Sequence, residues 1–394
     1  MSGKPELLMF SQNLLGGGTS FHKNMLNCFP SDFFDIKCIY FNPINWNGAK
    51  ALDINLGPND IIFPYGNDTI RETARKLSKL ISNKEGSIVS NLETELISLD
   101  LHRKLQKTVF FICHDDGFLP LAIKYQSIID VFISHNASVH EELLRTVGKK
   151  NKSVFFIQHG VRIPEVRKVH NNNEKLKIVF LARHYVFKGI YDLPVIDELL
   201  KKAGTRVEWT VLGDGPERNS IMEKVNGLGN FHFDIPQTSE DVIEILKDQD
   251  VFILPSRSDG LPVALLESMS VGCVPVIANF SEGIKKVVTN DIGFVIPVGD
   301  NEQFAGKIAL LSGDRKLLQS LSSRCIEKVK EEFDIEKQAL EYYNLYKRYK
   351  ELKKRRRFGV SDVKRQLKYY GSVNKLARFY KSVKAKIIPR SKTI

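Results

Sequence analysis

Leu254-Pro255-Ser256-Arg257-Ser258-Asp259-Gly260-Leu261-Pro262-Val263-Ala264-Leu265-Leu266-Glu267-Ser268-Met269-Ser270-Val271-Gly272 is the stretch that decides the fold. The apolar run ending at Leu254 has the composition of a buried strand, and it gives way to a polar loop. Asp259 sits in that loop, and Glu267 follows on a helical pattern. Both carboxylates are expected at one cleft, at the carboxyl end of a parallel strand, where open α/β sheets bind ligands. The backbone at Gly260-Leu261 opens the helix and is expected to present N–H groups to phosphate. An acid that accepts hydroxyl hydrogen bonds beside such a helix start suits a nucleotide-linked sugar.

Working outward, 394 residues exceed one ordinary core and suit two domains with an appendage. A hydrophobic content of 42% and a charged content of 26% are globular values. Leu7 to Phe10 reads as a first strand rather than a secretory leader, and no apolar run approaches the ~20 residues of a spanning helix. Cys28, Cys38, Cys113, Cys273 and Cys325 are odd in number and lack CxxC spacing. Free thiols and a cytoplasmic location are the expectation. The charge is uneven. Residues 347–394 hold 18 Lys/Arg against Glu351 and Asp362, a net of +16 in a chain of net +12, which leaves −4 for the rest. The body gives no reason to expect a polyanion; the tail does.

Apolar runs alternate with amphipathic ones. Strands are expected at Glu6–Phe10, Ile36–Phe41, Ile61–Pro64, Thr108–Cys113, Val131–Ser134 and Val154–Ile157, with helices such as Asp68–Ile81 and Ala137–Thr146 between them, capped by Asp68 and Asn136. The polar run His170–Lys175 reads as an interdomain linker. A second series follows at Lys177–Leu181, Val207–Leu212, Phe231–Phe233, Val251–Leu254 and Val274–Ile277, then a short strand at Gly293–Pro297 and a helical stretch from Asn301 to about Lys353. Such alternation means two parallel sheets with helices on both faces.

Several groups carry candidate chemistry. Arg183 leaves one strand and Lys188-Gly189 opens the next helix, so two cations are available to clamp a diphosphate; solvated surface cations are the plain alternative. Gly213-Asp214-Gly215-Pro216 is a tight turn without the third glycine of a dinucleotide fingerprint, and no catalytic role is assigned to it. In the first half, Gly16-Gly17-Gly18 follows the first strand, where glycine lets backbone approach a ligand; a flexible turn is the alternative. His114 ends a strand, as a structural residue or a catalytic one. Adjacent His114, Asp115 and Asp116 do not suit one ion, and no second cluster shows metal spacing, so no metal is expected.

The acid-x7-acid block, the Arg183/Lys188 pattern and the Gly-x-Gly-Pro segment together resemble the retaining GT-B glycosyltransferases of glycosyltransferase family 4. The resemblance is carried by residues 170–330 and by the Gly-rich loop, His114 and the Gly160 turn. It implies α/β GT-B architecture: residues 1–170 as an acceptor-side Rossmann-like domain, 171–335 as a nucleotide-sugar domain, 336–354 as a closing helical segment and 355–394 as a basic tail. It further implies that Arg183 and Lys188 neutralise a leaving nucleoside diphosphate, that Glu267 binds ribose hydroxyls, and that the backbone around Ile235 reads the base. Gly16 and Gly17, or Gly17 and Gly18 one residue on, would face the diphosphate with Gly260 and Leu261, and His114 would lie near the donor sugar. Asp259 replaces the family's usual Glu, which puts sugar identity in question; His159 replaces an Asn and is read as structural.

From Val360 apolar residues recur every three to four positions among Lys and Arg, as in a basic amphipathic helix on an anionic membrane surface. Packing on the protein body is the alternative; no nucleic-acid motif is present. The expectation is a metal-independent transferase at the inner face of the membrane, moving sugar from a nucleotide donor to a lipid-linked or surface glycan. A sugar-nucleotide epimerase and a non-catalytic assembly subunit are the rivals.

Overall fold

A computed structural model describes residues 3–13, 17–44, 56–102, 105–148, 153–165 and 175–354. Gly16, most of the expected linker and the tail from residue 355 lie outside the described residues.

Two parallel sheets form the frame. The first holds β1 (Glu6–Gln12), β2 (Asp35–Pro43), β3 (Ile61–Tyr65), β4 (Gly86–Ser90), β5 (Lys107–Cys113), β6 (Val131–Ser134) and β7 (Val154–Phe156), in the order β3-β2-β1-β4-β5-β6-β7. The second holds β8 (Leu176–Leu181), β9 (Val207–Leu212), β10 (Phe231–Asp234), β11 (Val251–Leu254), β12 (Val274–Ala278) and β13 (Phe294–Ile296), in the order β10-β9-β8-β11-β12-β13. Every pairing is parallel, so each sheet reverses direction of growth once, at β1/β4 and at β8/β11. Those are the switch points at which doubly wound sheets open a crevice.

The expected strands are present, with ends shifted by one or two residues. β4 escaped the sequence reading: Gly-Ser-Ile-Val-Ser is short and half polar, yet all five residues are buried. Its Gly86 is required, because a Cβ there would meet the Glu6 carbonyl oxygen at 2.0 Å. The first-domain helix begins at Ile70, and its cap is Thr69 rather than Asp68. Thr69 forms a reciprocal capping box with Glu72, the stronger terminus because it satisfies two backbone donors at once. Asn136 does cap Ala137–Leu143. The stretch after Asn301 is several helices, divided where Asp314 and Asp334 each cap a new one.

Helix Ile335–Lys347 belongs spatially to the first sheet. Tyr342, Tyr343 and Tyr346 pack with Phe21, Phe29, Phe34 and Phe110 in one buried cluster. Ser87 donates to the Tyr346 carbonyl at 2.8 Å, and Thr108 to that of Tyr349 at 2.6 Å. The crossing is a backbone exchange: Val161 donates to the Phe333 carbonyl at 2.8 Å and Ile335 to that of Val161 at 3.0 Å. Gly160 permits it, since a Cβ there would lie 2.6 Å from the Ile335 Cα.

Candidate functional site

β8 and β11 are neighbours in the second sheet, so the loops at their carboxyl ends must lie side by side. That is why Lys188, after β8, reaches Asp259, after β11, and donates to its carboxylate. Both side chains are largely buried. Lys188 does not open a helix as the sequence suggested. Val186–Lys188 is one tight turn, stopped by Gly189 at φ +79°, and the helix begins at Asp192. A Cβ on Gly189 would sit 2.3 Å from the Pro255 carbonyl oxygen, so glycine lets the two loops touch. Arg257 ties them further, donating to both Asp192 carboxylate oxygens, one at 3.0 Å, and to the Pro255 carbonyl at 2.8 Å. The sequence reading passed over Arg257.

Arg183 is exposed at the end of β8, and its charge reaches Tyr65 of the first domain. The turn at Gly213 and Gly215 packs against the same segment. Cβ atoms there would meet the Ala182 carbonyl at 2.2 Å and the His184 carbonyl at 2.6 Å. These glycines set the path of the Arg183 loop by contact.

Helix Val263–Ser270 follows its extended cap Pro262 and so begins two residues beyond the expected phosphate-facing backbone at Gly260-Leu261. The Gly260 N–H is not free: it donates to Asp259 at 3.0 Å. An Asp with its carboxylate near its own next amide closes that bond locally, which the spacing of residue types does not reveal. Leu261 is buried. Glu267 is buried too, at 9% exposure, and burial lifts its carboxyl to about 7. At Ile235 both backbone groups already have side-chain partners, Asp234 at 2.7 Å and Gln237 at 2.6 Å. A base read by that backbone therefore has to displace them.

The first domain closes on this edge. Helix Gly17–Asn27 begins at Gly17, directly after the β1 loop, and lies against helix Val263–Ser270. A Cβ on Gly260 would come within 3.0 Å of the Asp115 Cβ and 3.2 Å of the His114 carbonyl. Asp115 is held above the usual carboxylate range, chiefly by burial and further by Asp259, while Lys188 pulls it back. His114 pairs through Nε2 with the Asn91 side-chain oxygen at 3.1 Å. Asn91 is placed by Glu95, whose buried carboxylate accepts from Ser90, Asn91 and Leu92 at 2.6–3.0 Å.

Sequence spacing shows no metal-type cluster, but the fold brings three histidines together. His114, His135 and His159 bring one ring nitrogen each within 4.8 Å of one another. They follow β5, β6 and β7, adjacent strands of one sheet, so the fold aligns residues that sequence spacing keeps a βα unit apart. His22 stands beside His114 with ring centroids 6.0 Å apart. Burial pushes all four imidazoles down and keeps them neutral. His159 also stacks on His135, with ring centroids 3.6 Å apart. His22 and His135 were missed; that His114, His135 and His159 all follow strand ends was the available signal.

Residues 162–331 match the family model described as glycosyl transferases group 1. A glycosyltransferase of Salmonella typhimurium named for colanic acid biosynthesis is 30% identical over 209 residues, 48% of this chain and 50% of that one. The Escherichia coli UDP-Gal:alpha-D-GlcNAc-diphosphoundecaprenol alpha-1,3-galactosyltransferase is 35% identical over 107 residues, 27% of each chain. The matched region spans half or less of the length of these relatives. Among solved structures, Anabaena HepE in complex with UDP-glucose superposes with a TM-score of 0.68 at 14% identity, covering 86% of this chain and all of that one. The shared fold is GT-B: two facing α/β domains.

Proposed function

From the glycosyl transferases group 1 domain that this chain carries at residues 162–331, we propose that it transfers a sugar, with retention, from a nucleotide donor to a lipid-linked or surface glycan. The observation that carries the reading is the Lys188–Asp259 pair at the β8/β11 switch point, facing Asp115 across the cleft. A cation and a sugar-binding acid already held together offer one end to a diphosphate and the other to sugar hydroxyls. On donor binding the diphosphate competes with Asp259 for Lys188, and Arg183 supplies a second cation. Their charge then grows in value as the bond from the sugar to the phosphate oxygen breaks. The acceptor oxygen forms its bond to the same carbon on the same face, and its proton passes to a phosphate oxygen of the departing diphosphate. Glu267 holds the ribose and Ile235 borders the base. A glycan on a lipid diphosphate is the favoured acceptor class, by likeness to the galactosyltransferase above. A cytoplasmic site at the membrane's inner face belongs to this proposal; among the described residues no helix is long and apolar enough to cross a membrane.

The test is direct. Thermal-shift titration with nucleoside diphosphates and nucleotide sugars, uridine forms first, identifies the donor; a lipid-linked acceptor panel then reads transfer. Turnover of donor without acceptor points to an epimerase instead, and no nucleotide binding rejects the proposal.

A further inference from the structure

We propose that His114, His135 and His159 form a three-nitrogen site for a divalent transition metal of the zinc class, built into the first domain. The neighbours of the cluster fix which nitrogen keeps a lone pair in two of the three rings. The Ile157 carbonyl lies 3.0 Å from His135 Nδ1, and a carbonyl only accepts, so Nδ1 carries the proton and Nε2 keeps its lone pair. Tyr342 holds the same spot, 2.9 Å from that nitrogen and donating to the same carbonyl at 3.2 Å. His114 is fixed likewise: Nε2 faces the Asn91 oxygen, which leaves the lone pair on Nδ1. Backbone or amide oxygens that orient a ring from behind are the outer contacts of histidine metal sites.

Burial supplies the second observation. His135 Nε2 and His159 Nδ1 are buried without a hydrogen-bond partner among the described residues, in rings 1% and 4% exposed. Neutral imidazole suits zinc and copper, whereas magnesium and calcium seek oxygen. One ring nitrogen of each histidine lies within 4.8 Å of the other two, and tetrahedral zinc at about 2.0–2.1 Å brings such ligands to about 3.4 Å apart. The His135 and His159 rings stack, with centroids 3.6 Å apart at 29°, so metal binding has to swing one ring out of the stack to bring both lone pairs onto one point. His22, whose Nε2 is also buried and unpartnered, is the nearest further imidazole. Since His114 also neighbours the Asp115–Gly260 contact, a bound cation places positive charge under the cleft wall.

The full chain, stripped with chelator and dialysed against buffered free zinc, is expected to retain one equivalent by elemental analysis. The double variant His135→Ala/His159→Ala is expected to lose it, while His184→Ala and Cys28→Ser keep it. Tyr342→Phe leaves every ring in place but loosens His135, and should weaken zinc affinity about 10- to 100-fold. Should the double variant unfold, cobalt bound to the unmodified chain decides, through tetrahedral absorption without a thiolate band. No zinc retained by the unmodified chain, an equivalent surviving in a folded double variant, or an octahedral cobalt spectrum overturns the assignment.

Discussion

Lys188 and Asp259, which follow separate strands of the second sheet, form an ion pair with each other. Under the proposed function, donor binding is then an exchange of partners. Lys188→Ala is expected to weaken nucleotide-sugar affinity by about 10- to 150-fold, the range of a lost charge-assisted contact of about 1.5–3 kcal/mol. Asp259→Asn separates the two roles: Lys188 is released, so nucleoside diphosphate affinity is unchanged or higher, while sugar transfer falls. Calorimetry beside a transfer assay checks this, and equal loss of both in Asp259→Asn would sink it.

Glu267 is expected to make donor binding depend on pH. Burial raises its folded carboxyl to about 7 from an ordinary value of 4.5. The group's contribution to apo stability is thus complete below about 4.5 and is lost as pH rises through about 7. Ribose hydroxyls donate to the ionised form, so nucleotide-sugar affinity should climb with pH and level off above about 7. Nucleotide sugars are the right probe, because their phosphates do not titrate there. A Glu267→Gln variant with the same pH profile would count against the assignment.

Gly189→Ala tests the contact between the two donor loops. The substitution meets a positive φ and the Pro255 carbonyl together, and strained backbone alone costs about 1–3 kcal/mol. Urea unfolding should show a loss of at least that size, with nucleotide affinity falling as the Lys188 turn shifts. A stability equal to the unmodified chain's would show that the loops yield freely.

Sugar transfer is expected to survive exhaustive chelation, because Arg183 and Lys188 offset the leaving charge without a resident ion. The three-histidine site does not alter this expectation, since no ligand of the diphosphate is assigned to it. Activity lost on chelation and restored by added metal would reject it.

The basic tail should bind anionic vesicles in a salt-sensitive way. Removing residues 355–394 is expected to abolish vesicle sedimentation while leaving transfer to a short soluble acceptor within about twofold. Vesicle binding that persists would move the contact to the body.

Strand and helix alternation is written in residue types, so both sheets were legible, as were the place of Arg183 after β8 and that of Glu267 on a helix. β4 was not, because Gly-Ser-Ile-Val-Ser carries no strand signature and owes its place to burial between β1 and β5. The Gly260 amide was misjudged for another reason: its partner is the side chain one residue earlier. Asp115, Asn91 and the histidines gain meaning only once parallel strands bring their ends together.

The exchange between Val161 and the Phe333–Ile335 segment means that the polypeptide passes between domains twice, at one place. Two strands of chain crossing side by side act as a hinge with a single pin, so opening of the cleft should be a rotation about that pin rather than a free swing. They also interlock the halves. A fragment ending at the linker would lack Tyr342, Tyr343 and Tyr346 and leave Phe21, Phe29 and Phe110 facing water. The amino-terminal half is accordingly expected to aggregate when made alone and to become soluble when the remainder is supplied in trans. During synthesis it cannot finish folding until the last helices leave the ribosome.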